Sequence, residues 1–239
     1  MSNELVIKAA SLIRAGDIAG AEFALVSLAE TEGDHALVAV LEEMPSKDLL
    51  AVIREFDASR ESVVSLLVTP EQFARALVME RLNGDHTHAH LRGMINAVLF
   101  RDDSQTEEFL AAIGELDGGC EALVDYLTDR DEAVVHFANY GTFNHLHSEE
   151  GDEIEKSEAS DHDWKEVTWL LKHDHPDMFE QILPQLKIHL KERLKAEAEL
   201  EMQEQEFANG PALRAPAVAP AASTAPTKGR VDPSEESAL

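Results

Sequence analysis

Along the chain, short runs of apolar residues at helical spacing are each closed by a stop or a cap. In "ALVAVLEEMPSKDLLAVIREFDASRESVVSLLVTPEQFARAL" the runs end at Met44-Pro45, Phe56-Asp57 and Val68-Thr69, in steps of 12 residues. Further on, Leu91, Met94, Ile95, Val98 and Leu99 recur at the spacing that lines one face of a helix. Helix starts are marked as clearly as helix ends. "TPEQ" offers Thr69 as N-cap, Pro70 at the first helical position and Gln72 as the reciprocal partner of a capping box. "SQTE" repeats that logic with Ser104 and Glu107, and Asp17, Ser59 and Asp85 are further N-cap candidates. No segment alternates with period two. The pattern therefore predicts an all-α protein of short helices stacked as an irregular α-solenoid or superhelix. An ordinary globular helical bundle with no true repeat is the alternative.

Composition divides the chain into four parts. Residues 1–147 carry the repeat-like pattern. Residues 148–163, "SEEGDEIEKSEASDHD", are acidic and poor in apolar side chains, which predicts an exposed loop. In residues 164–208 helical periodicity returns. Trp164, Val167, Thr168 and Leu171 share a face of a helix from about Asp161 to His173. Phe179, Ile182, Leu183, Leu186, Leu190 and Leu194 line a longer helix, which Pro184 should kink or divide. Beyond Leu194, "KAEAELEMQEQEF" is charged nearly all round and is expected to project into solvent as a docking element or as the fraying end of the core. Residues 209–239 are Ala/Pro/Ser-rich and predict a disordered tail.

Within the repeat-like part, "VLEEMP…LLAVIREFD" resembles the rhythm of the N-terminal cytosolic domain of MgtE-type magnesium transporters. The resemblance spans about residues 37–77 and implies a right-handed superhelix of short helices. Nothing like the CBS pair or the membrane domain of that family accompanies it.

Charge narrows the function classes. Against 47 acidic residues stand 20 basic ones, a formal net charge of −27. The tail from Asn209 balances to zero, so the excess lies on residues 1–208. Such a surface has no basic stripe to displace phosphate counterions, and direct nucleic-acid binding is not expected. It favours solubility and attracts basic proteins or cations. No stretch reaches the 18 or so apolar residues of a membrane helix, and "MSNELVIKAASLIRAGD" lacks the layout of a secretory signal. With one cysteine, Cys120, no internal disulfide is possible; a cytoplasmic protein is expected.

Candidate chemistry centres on histidines. His86 and His90 would share a face of a helix capped by Asp85 and could clip zinc, copper or nickel. His88 would sit at the edge of the apolar stripe. His145 and His147 lead into an acidic run, and His173 and His175 alternate with Asp174 and Asp177. A structural zinc site needs four ligands, so these clusters form one only by folding together. Neither an H-E-x-x-H zinc motif nor a G-x-S-x-G elbow, Walker loop or dinucleotide fingerprint is present. "KHDH" lacks the partner residues of an HD phosphohydrolase. Cys120 in "DGGCEALVDYL" has acidic neighbours, which raise a thiol pKa, and reads as a small core residue. An enzyme is not expected.

These observations predict a protein-interaction module, an adaptor, scaffold or assembly factor, with no cofactor and with its oligomeric state left open. A protein partner, basic in character, would meet Glu149, Glu150, Asp152 and Glu153. The alternative is a module responding to divalent metal, either magnesium at carboxylates or Zn2+/Ni2+ at the histidines. A third reading is an acidic mimic of nucleic acid.

Overall fold

A computed structural model describes residues 2–56, 62–84, 87–101, 105–143, 154–159 and 163–209. Among these residues every regular element is a helix. They run α1 (Ser2–Arg14), α2 (Ile18–Glu32), α3 (Asp34–Glu43), α4 (Ser46–Glu55), α5 (Val63–Leu67), α6 (Pro70–Asn83) and α7 (Ala89–Leu99). Then follow α8 (Thr106–Glu115), α9 (Gly119–Leu127), a 3-10 turn (Thr128–Arg130), α10 (Asp131–Tyr140), α11 (Lys156–Ala159), α12 (Trp164–His173) and α13 (Pro176–Asn209).

The stops written into the sequence are used where they stand. Met44, Phe56 and Val68 are the C-caps of α3, α4 and α5. Thr69 closes a full capping box on α6. Its Oγ1 accepts from the Gln72 backbone N–H at 3.4 Å, and its own N–H donates to Gln72 Oε1 at 3.1 Å. The Gln72 amide then donates to the Leu41 carbonyl at 2.7 Å, tying the start of α6 to the end of α3. Asp17 caps α2 as its sequence suggests. Ser62 rather than Ser59 caps α5, and Gln105 is the N-cap of α8, one residue beyond the expected Ser104. Ser59 and Ser104 lie outside the described residues.

From α1 to α9 each helix packs on its sequence neighbour, on the second helix along, or on both. Contacts α2–α4, α4–α6 and α6–α8 form one row, and α5–α7 and α7–α9 form another. The bridges α2–α5, α4–α7 and α6–α9 then join the rows at the same offset each time. That regular offset is the stacking of a solenoid rather than the closed ring of a simple bundle. Leu37, Leu41, Leu49, Ile53, Leu77 and Ile95 run through the core, and Phe73 meets Phe109 edge-to-face at 5.8 Å. All five residues of the Leu91–Leu99 stripe are buried.

Residues 1–196 pack as one unit and residues 197–239 are a second. Within the first unit α12 packs on α10 and α11. At Gly114 of α8 an added Cβ would stand 2.5 Å from Met178 Sδ, so the first turn of α13 lies directly on α8. Pro184 does not divide α13, which runs unbroken from Pro176 to Asn209. Both Pro184 and Glu180, whose carbonyl loses its helical donor there, are exposed, so water can satisfy that oxygen. Helix α12 starts at Trp164 with Asp163 as its cap, two to three residues after the expected start.

The segment expected to be a plain exposed loop contains structure. Residues 156–159 form α11, Ala159 is fully buried, and the Ile154 carbonyl accepts from Trp169 Nε1 at 3.1 Å. The few apolar groups of the acidic stretch are what anchor it. Its one base, Lys156, pairs with Glu107 at 3.4 Å and stands over the Trp169 ring.

Candidate docking surface

Helix α2, "IAGAEFALVSLAETE", has a single charged side chain between Ile18 and Ala29, and that one, Glu22, is turned inward and buried. A helix that is apolar nearly all round belongs in an interior. Yet α2, packed on α1, α3, α4 and α5, leaves Phe23 73% exposed. Ile7 on α1 is 59% exposed.

Between the two helices runs an open groove of about 330 Å³, with Leu5 and Lys8 on one wall and Phe23, Ala24 and Ser27 on the other. Its two hydroxyls are already committed. Ser27 Oγ donates to the Phe23 carbonyl at 2.9 Å, and Thr31 Oγ1 to the Ser27 carbonyl at 2.7 Å. With both hydroxyls folded back onto the helix, the wall presents mainly carbon. The turn before α2 is equally fixed. Asp17 accepts from the Gly20 N–H at 2.9 Å, and a Cβ at Gly20 would fall 2.2 Å from Asp17 Oδ2. Only glycine lets the cap close so tightly.

The inner face of α2 holds the groove in place. Glu22 Oε1 accepts from the Val63 N–H at 2.7 Å, capping α5 from a distance of 41 residues in sequence. Burial raises the Glu22 pKa, an effect that the Val63 and Ser62 hydrogen bonds only partly oppose. Its second oxygen is buried with no hydrogen-bond partner. The far end of α5 is closed by Arg101, whose guanidinium donates to the Ser65 carbonyl and, at 3.4 Å, to the Val68 carbonyl while lying over Phe109. Negative charge at the start and positive charge at the end match the dipole of that one short helix.

Of the histidines expected from sequence, His88, His90, His173 and His175 lie among the described residues. Helix α7 begins only at Ala89, with His88 before it in the left-handed region (φ 52°). His90 is exposed, while His86, His145 and His147 lie outside the described residues. His88 is half-buried, with Nδ1 3.9 Å from Asp125, so it faces a carboxylate rather than the core. His173 stacks on Trp169 at 4.0 Å with Nδ1 2.8 Å from the Trp169 carbonyl; His175 Nε2 is buried with no hydrogen-bond partner. Among the described residues no three His, Cys, Asp or Glu side chains converge to hold a metal ion. Glu149, Glu150, Asp152 and Glu153 also lie outside the described residues. Cys120 is buried, and burial together with Glu121 pushes its thiol pKa up, as its neighbours suggested.

Phe23 and Ile7 were not singled out by sequence reasoning. The signal available was the run of twelve residues from Ile18 to Ala29 with one charge. No helix among the described residues is long and apolar enough to cross a membrane. Comparison with known proteins adds no relative: no family model, no curated protein and no solved structure matches the chain.

Proposed function

We propose that the chain is a protein-interaction module whose α1–α2 groove receives an amphipathic helix of a protein partner. The observation that carries this reading is the exposure of Phe23 on a helix otherwise built for an interior. Laying a third helix along the groove would cover Phe23 together with the exposed parts of Leu5 and Ala24, in the helix-in-groove manner. Burying one aromatic of this size contributes about 1.5–3 kcal/mol, enough to make Phe23 the energetic centre of the contact. Exposed Glu30 and Glu32 lie near one end of the groove, and the chain as a whole carries −27. A partner helix with lysine or arginine beside its apolar face suits that field, which would speed encounter more than it tightens the complex. Glu149, Glu150, Asp152 and Glu153 would add to the same steering. The buried single cysteine suits work in a reducing compartment.

Competition tests the reading. Partner captured on the immobilised chain should fall at least tenfold with Phe23→Asp and stay at the wild-type level with Leu82→Asp, an equally exposed apolar residue on α6. Equal loss with both variants, or with neither, would remove the groove from consideration.

A further inference from the structure

Two charged side chains line the groove between α1 and α2, Lys8 on one wall and Glu32 on the other. Both are exposed, and among the described residues neither makes an ion pair. The charges nearer the turn are engaged. Arg14 Nε donates to the Ala10 carbonyl at 3.1 Å, and Asp17 caps α2. Acids outnumber bases 47 to 20 in this chain, yet Lys8 has no acid of its own to face.

The levels of the two charges along the groove follow from the fold. The turn Ala15–Asp17 brings α2 back along α1, so the two helices run in opposite directions. Lys8 lies six residues before Arg14, the last of α1, and Glu32 fourteen residues after Ile18, the first of α2. At about 1.5 Å of rise per residue, Lys8 stands about 9 Å from the turn and Glu32 about 21 Å. The separation of about 12 Å is the rise of roughly seven or eight helical residues, and residues seven apart share a face.

Resting on the reading of this groove as a helix-docking site, we propose that the incoming helix carries an acidic residue that meets Lys8. Two turns along the same face it carries a basic residue that meets Glu32. Net charge alone would favour a helix bearing bases throughout. Inside the groove such a helix sets one of its bases against Lys8, and like charges brought together are costly. A helix bearing acids alone meets Lys8 but is repelled by Glu32 and by the −27 of the whole chain. The mixed pair satisfies both walls. The Lys8 stem lies along the apolar wall while its ammonium stays at the wet rim, and rim charges select among partners more than they tighten any one complex.

Synthetic peptides of about 18 residues, long enough to span α2, test the proposal on the full chain. All share leucines at helical spacing and differ only at two flanking places seven residues apart. The mixed peptide has glutamate and lysine there, the basic peptide two lysines and the acidic peptide two glutamates. Fluorescence anisotropy gives the Kd of each. The wild-type chain should bind the mixed peptide more tightly than the basic one, against the order that net charge sets. Lys8→Glu should reverse that order, shifting the ratio of the two Kd values by about threefold or more, the scale of an exposed ion pair exchanged for a like-charge contact. Glu32→Lys should move the acidic peptide up against the mixed one in the same measure. Lys187→Glu makes the same charge change as Lys8→Glu but on α13, and should leave every ratio at its wild-type value. A wild-type chain that prefers the basic peptide overturns the charge pair, as do equal shifts with Lys8→Glu and Lys187→Glu. Phe23→Asp separates that failure from failure of the groove. If it weakens all three peptides at least tenfold, the groove stands whatever the ratios. If no peptide binds the wild-type chain, or all bind the Phe23→Asp chain equally well, the groove and the charge pair fall together.

Discussion

Glu22 couples the docking helix to the rest of the stack, and its replacement tests that coupling. Glu22→Ala removes the acceptor for the Val63 N–H and leaves the first turn of α5 with only Ser62, whose Oγ takes the Val64 and Ser65 N–H groups at 3.1 and 3.4 Å. A hydrogen bond to a charged group contributes about 1.5–3 kcal/mol, and a helix cap about 1 kcal/mol. Set against this is the relief of a carboxylate held out of water with one oxygen unpartnered. The net loss should be about 1–2 kcal/mol, or a Tm fall of about 2–8 °C for a unit of this size. Glu22→Gln keeps the acceptor without the charge and should lose less. The sign of the pH dependence separates the two effects. Burial raises the folded-state pKa of Glu22, so between the unfolded value of 4.5 and that higher value the folded chain binds the extra proton. The stability Glu22 contributes is thus full below pH 4.5 and is lost as pH rises through the folded pKa. Urea unfolding of both chains across acid to mildly alkaline pH should show the Gln chain gaining on the wild type as pH rises, the difference cancelling the general effect of −27 charges. A difference that is flat, or that moves in the wild type's favour, would refute the buried-carboxylate account.

Other parts of the fold give simpler outcomes. Thr69→Ala opens the capping box of α6 and should cost about 1 kcal/mol by urea unfolding, with Gln72→Ala costing more because the Leu41 bond goes too. Arg193→Met leaves Asp131, 2% exposed at its side chain, without its guanidinium; since Arg193 is itself 42% exposed, the loss should be about 1–2 kcal/mol rather than that of a fully buried pair. Zinc or nickel in excess should give no saturable rise in Tm that disappears in the His86→Ala, His90→Ala chain; a site occupied at 100 Kd would raise stability by about 2.7 kcal/mol and be plain to see.

How far the sequence could be read depended on the range of the interaction. Stops at Met44, Phe56 and Val68 and the box at Thr69 are local, decided within four residues, and all were legible. The start of α7 was not, because Asp85 satisfies the rule for a cap while the chain instead turns through His88 in the left-handed region. Pro184 misled in the other direction: a proline on the exposed side of a long helix loses one hydrogen bond to water and need not end it. In the acidic stretch charge hid the anchoring of Ile154 and Ala159, which depends on Trp169. The grip of Glu22 on Val63 crosses 41 residues, and no pattern along the chain encodes it. Nor could the groove be seen. An apolar α2 reads as a buried helix, and only the packing reveals that one of its faces is left bare.

The docking claim is met most directly by a photo-crosslinking amino acid placed at position 23, with irradiation in the native cell and mapping of the joined peptide. The account predicts attachment to one segment of a different protein, amphipathic at helical spacing and bearing lysine or arginine beside its apolar face. Attachment only to other copies of this chain, or none while the same group at position 82 does capture a protein, would contradict it.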